Sequence, residues 1–67
     1  MNWREEPSGA TRRLVGRAAS FRIEAEMLRE RAGMTDEPAI REQYLALAEK
    51  WSKFAAGLEA EALTASL

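Results

Sequence analysis

The chain has 67 residues, 46% of them hydrophobic and 31% charged, with no cysteine and no histidine. That length allows one small domain with a modest core, which long helices or oligomerisation must reinforce. Disulfides are excluded. So are the cysteine and histidine ligand sets of the usual zinc and haem sites, and no metal or other cofactor is expected. Net charge is −1, which gives no global attraction to nucleic acid or to acidic lipid. Its distribution is uneven: residues 1–33 hold seven arginines against five glutamates, and residues 34–67 hold three basic against six acidic groups. Two antiparallel helices would set these halves side by side, where they attract.

Residues 1–9 are polar and close on Pro7, Ser8 and Gly9, so they read as a flexible N-terminal arm. The segment lacks the basic and apolar regions of a secretory signal. No uncharged apolar stretch approaches the roughly 18–20 residues that span a bilayer. A soluble, cytoplasmic protein without a membrane span is expected. Trp3 is the odd residue of the arm, either an anchor for a partner or a cover for one end of the domain.

The first helix is predicted over about 10–32. Its ladder is Leu14, Ala18, Phe21, Ala25, Leu28 and Ala32, in alternating steps of four and three that keep one stripe toward a partner helix. Gly16 weakens the first turns. Gly33 is placed to adopt the left-handed conformation that ends a helix, with Met34 folding back toward Leu28. The turn is set at 33–37. Thr35 and Asp36 offer capping oxygens, Asp36 and Glu37 suit the positive end of the helix dipole, and Pro38 suits the first turn.

The second helix is predicted over about 38–63, with a ladder of Ile40, Tyr44, Leu47, Trp51, Phe54 and Leu58. A linker of four or five residues forces the two helices antiparallel. The expected layers pair Leu28 with Tyr44, Ala25 with Leu47, Phe21 with Trp51, Ala18 with Phe54 and Leu14 with Leu58. Small residues would then meet large ones in alternation. Gly16 and Gly57 would lie near one another at the open end, either permitting close approach or loosening the hairpin. The fold class is an all-α antiparallel hairpin, expected to dimerise into a four-helix bundle.

That last expectation rests on surplus apolar residues. Val15, Ala19, Ile23 and Met27 repeat every four residues as a second ridge on helix 1, and Ala48, Ala55 and Ala62 flank the main stripe of helix 2. A hairpin buries one stripe per helix, so the ridge would face water in a monomer. Scattered exposed apolar side chains are ordinary, but four on one ridge of a core-poor chain mark a protein interface. Two readings stay open: a homodimer contact, or docking of a different protein.

Chemistry is sparse. Serine and threonine hydroxyls have no histidine to activate them, and the glycines are too scattered for a phosphate loop, so no catalytic or cofactor-binding residue is proposed. Glutamates on the helices read as a solvated face with pairs such as Arg22–Glu26 and Glu49–Lys53. Arg12, Arg13, Arg17 and Arg22 fall between Pro7 and Ile23, a stretch free of acidic residues. They are the candidate contacts for RNA or DNA, the alternative to protein–protein interaction. The same arginines on an amphipathic helix suggest a membrane surface only weakly, because the apolar face is already used.

The run Tyr44-Leu45-Ala46-Leu47-Ala48-Glu49-Lys50-Trp51-Ser52-Lys53-Phe54-Ala55 resembles the Y-L-x-L-A-x-x-W-x-x-L-A pattern of small bacterial helical-hairpin proteins of unassigned role, many from alphaproteobacteria. Phe54 stands where that pattern has leucine. The likeness covers roughly residues 24–60, the Thr-Asp-Glu-Pro-Ala turn included, and implies a bacterial cytoplasmic hairpin. In helix length and heptad pattern alone the chain is also similar to the Rop-type RNA-binding proteins, which are hairpins that dimerise into four-helix bundles. No RNA-contacting residue carries over.

Overall fold

Two long helices joined by three residues make up the fold in a computed structural model that describes residues 8–65. Helix α1 spans Gly9–Met34 and helix α2 spans Pro38–Ala65, packed against each other along their lengths. Arm residues 1–7, Trp3 among them, lie outside the described residues.

Helix α1 begins earlier than expected because Ser8 caps it. The Ser8 hydroxyl accepts from the Thr11 amide at 3.0 Å and lies 2.9 Å from the Thr11 hydroxyl. A cap oxygen of this kind satisfies an amide that the first turn leaves without a partner. The other end also differs. Gly33 is helical, no described glycine has a positive φ, and Met34 is 77% exposed rather than folded onto Leu28. The helix stops at Thr35, which is extended at φ −99° and ψ 138° and donates its amide to the Ala32 carbonyl at 3.4 Å. Pro38 supplies a reason for an extended link, since the residue before a proline avoids helical angles. Arg41 reaches back from α2 to donate to the Thr35 carbonyl at 2.8 Å, tying the turn to the helix that follows. The Glu37 carbonyl accepts from the Arg41 amide at 2.9 Å, closing the first turn of α2.

The core is a ladder of alanines. Thr11, Ala18, Ala25 and Ala32 are buried on α1, and Ala48, Ala55 and Ala62 are buried on α2, each set stepping by seven. Among the described residues no large side chain is completely buried. For α1 this agrees with the predicted ladder, whose Leu14, Phe21 and Leu28 are half-buried. For α2 it is a correction. The helix is turned so that Ala48 and Ala55 occupy the seam, while Leu47 and Phe54, assigned to it from the sequence, are 41% and 50% exposed. Ile40 is likewise exposed.

Alanine therefore faces alanine, not a large residue. Methyl-sized side chains let the two backbones approach closely, and the bulky residues then have room only beside the seam. The expected Phe21–Trp51 layer is present: the rings stack with centroids 5.1 Å apart and planes 12° from parallel. That register brings Ala18 level with Ala55, and Ala25 level with Ala48. Gly16 and Gly57 permit no close approach, because a Cβ at either would meet nothing within 4 Å. Both helices run unbroken through them.

Candidate interaction faces

Each side of the alanine seam has its own chemistry. Residues three after the seam positions lean to one side and those four after lean to the other, as helical spacing requires. On one side Phe21, Trp51 and Phe54 form a cluster, with Phe21–Phe54 centroids 6.0 Å apart and Trp51–Phe54 centroids 5.8 Å apart. Heptad spacing places Leu14 and Leu28 on the same side of α1, and Tyr44 and Leu58 on the same side of α2. One step further out on α2 lie Ile40, Leu47 and Phe54, all exposed; the matching positions on α1 are Arg17, Glu24 and Arg31. This broad face is apolar through its middle, charged along its α1 edge, and carries exposed Glu61 at the open end of its α2 edge.

The opposite side is polar at its centre. Arg22 spans the seam to Glu59 with both nitrogens of a forked contact, at 2.7 and 2.5 Å. Arg29 donates to the Ser52 hydroxyl at 2.8 Å and pairs with Glu26 at 3.5 Å. The basic front and acidic back of the sequence meet in the Arg22–Glu59 pair. Hydrogen bonding to Glu59, and then its negative charge, raises the Arg22 pKa; the Arg22 hydrogen bond holds the Glu59 carboxyl below its ordinary value. Arg22 thus turns across the hairpin rather than along α1 to Glu26.

The predicted interface ridge is exposed. Val15, Ala19, Ile23 and Met27 all face solvent, with Ile23 at 62%. Steps of four drift around a 3.6-residue helix, however. Val15 sits beside the seam, where it lines a shallow, mainly apolar hollow at the open end with Thr11, Glu59, Ala62 and Leu63, whereas helical spacing puts Met27 toward the back of α1. The ridge is a winding strip and not a plane.

The arginine row is also divided. Arg12, Arg13, Arg17 and Arg22 are all exposed. Helical spacing puts Arg13 and Arg17 on adjoining turns toward the back and the aromatic side, and Arg12 and Arg22 on the polar side. Only two of the four align, and Arg22 is engaged by Glu59.

Sequence reasoning missed the broad aromatic face, since it placed Leu47, Trp51 and Phe54 inside the seam. The available signal was the seven-residue recurrence of alanine in both helices at once. Among the described residues no group of three or more acidic side chains could hold a metal ion, and no helix is long and apolar enough to cross a membrane. Comparison with protein-family models, with curated proteins and with solved structures found no match.

Proposed function

We propose that this protein is a small non-enzymatic interaction protein that works through helix-face contacts with proteins, a second copy of itself first among them. One observation carries the reading: no described large side chain is completely buried, although nearly half of the chain is hydrophobic. A fold that satisfies its seam with methyl groups leaves its Trp, Phe, Leu and Ile surface for use between molecules. Two hairpins sharing such a surface form a four-helix bundle, the standard way for helices to bury one stripe each. The Val15–Ala19–Ile23–Met27 ridge is a second exposed strip, available to a different protein.

Sedimentation velocity across a dilution series tests the reading. The expected species at micromolar concentration has about twice the 7.5 kDa chain mass. A stable, fully helical monomer at every concentration would reject self-association.

Nucleic-acid binding is the second reading, supported by the exposed Arg13 and Arg17 on adjoining turns. It requires retention on RNA or DNA that falls with salt, by a log–log slope of roughly −0.7 to −0.9 for each phosphate contacted. Substituting Arg13 and Arg17 by glutamate would remove that retention. The protein-interaction reading expects no retention at physiological salt.

A further inference from the structure

We infer that the second copy covers the broad aromatic face, so that two hairpins meet face to face with Phe21, Trp51 and Phe54 at the centre of the contact and the Ile23–Met27 strip left outside it. This rests on the self-association reading above and assigns it a surface.

Size is the first argument. The molecule is a ribbon of 54 × 19 × 11 Å, one helix thick. At 1.5 Å per residue the 28 residues of α2 extend about 42 Å. A face of that length and 19 Å width presents roughly 800 Å² in projection, the area each partner contributes to a stable interface of standard size. The ridge, one side chain wide and drifting toward the back of α1, offers no comparable plane.

Position is the second. Phe21 stands near the middle of Gly9–Met34 and Trp51 near the middle of Pro38–Ala65. A two-fold axis between stacked hairpins passes through the middle of the shared face, whichever in-plane direction it takes. The aromatic cluster of one copy then meets that of the other. Large aromatic side chains at the centre with charged groups at the rim are the usual distribution in a tight protein interface. Here Arg17, Glu24 and Arg31 provide the rim along the α1 edge.

Chemistry disfavours the opposite face, although Val15, Leu45 and Leu63 are exposed there. Stacking two copies there would bring two Arg22–Glu59 pairs out of water together, and removing charges from water is costly even when they are paired. The aromatic side has no such group at its centre.

The test is sedimentation equilibrium on the full chain and four single variants. Leu47→Glu and Phe54→Glu put a charge on the exposed part of the face and should weaken dimerisation at least tenfold. Ile23→Glu and Met27→Glu should leave it within about twofold. Should the face variants lose their helicity, a second measurement decides on a folded chain. In a Trp3→Phe background, Trp51 emission should shift to the blue and become protected from acrylamide as concentration rises, along the same isotherm as the mass. A dimer in which Trp51 stays equally quenchable, or one broken by Ile23→Glu and not by Leu47→Glu, overturns this assignment while keeping self-association. A monomer at all concentrations overturns both.

Discussion

At the residue scale, the alanines of the seam and the two open glycines respond in opposite ways to added volume. Ala25 and Ala55 are 0% exposed, so there is no space beside them for further methylenes. Ala25→Leu should push the helices apart and destabilise the fold by about 1–3 kcal/mol. Gly16 and Gly57 sit in helix interiors with open space where a Cβ would go. Alanine at either should stabilise by up to ~1 kcal/mol, since glycine has more backbone freedom to lose on entering a helix. Thermal melts followed by circular dichroism measure both effects, and a Gly16→Ala chain that melts lower would show that glycine has a role beyond the helix backbone. The Arg22–Glu59 pair adds a pH dependence whose sign is fixed. The Glu59 pKa is lowered in the fold, so its contribution is complete above the unfolded carboxylate value and disappears as pH falls through the folded one. Arg22 stays charged throughout and adds no slope. Wild type should therefore melt above Glu59→Gln at neutral pH and converge with it in acid. The gap should be small and shrink with salt, because both groups reach solvent.

At the element scale, each helix end depends on an identifiable residue. Ser8→Ala removes the oxygen that caps α1 and should cost about 1 kcal/mol, read as lower helicity at the start of α1 by amide exchange. Element existence and pairing were legible in the sequence, because the four-three ladders and the Thr-Asp-Glu-Pro turn act over a few residues. The Phe21–Trp51 layer followed from setting the two ladders against each other across a short link. Boundaries were less legible. Gly33 is suited to a left-handed stop, but suitability does not require it, and the link of residues 35–37 ended the helix two residues later. The rotation of α2 was the larger miss. Ile40, Leu47 and Phe54 outrank alanine by hydrophobicity, so a count of apolar residues places them inside. Close approach of two backbones reverses that order, because only the smaller side chain fits between them. For the same reason the candidate surface moved: the helix that buries Ala48 and Ala55 necessarily presents Leu47 and Phe54 beside the seam.

At the scale of the whole molecule, the hairpin has little to hold it together alone. A seam of methyl groups buries far less apolar surface than a core of leucines, at about 25 cal/mol per Å² removed from water, and a chain of this size is marginal even with a full core. The half-buried Phe21–Trp51 stack contributes inside one copy and also lies on the face inferred to be shared. Two consequences follow, and they separate internal from intermolecular stabilisation. Trp51→Ala removes a ring that packs within the hairpin and should cost on the order of 3–5 kcal/mol, enough to unfold a small domain. If the second copy stabilises the fold, association binds only the folded form, so the melting temperature must rise with protein concentration. Calorimetric scans of the wild-type chain from micromolar to millimolar should show that rise continuing until dimer is saturated, with Phe54→Glu melting at one low temperature throughout. A wild-type midpoint that does not move over that range would mean that the alanine seam and the aromatic stack suffice by themselves, and that a second copy on the broad face contributes nothing to folding.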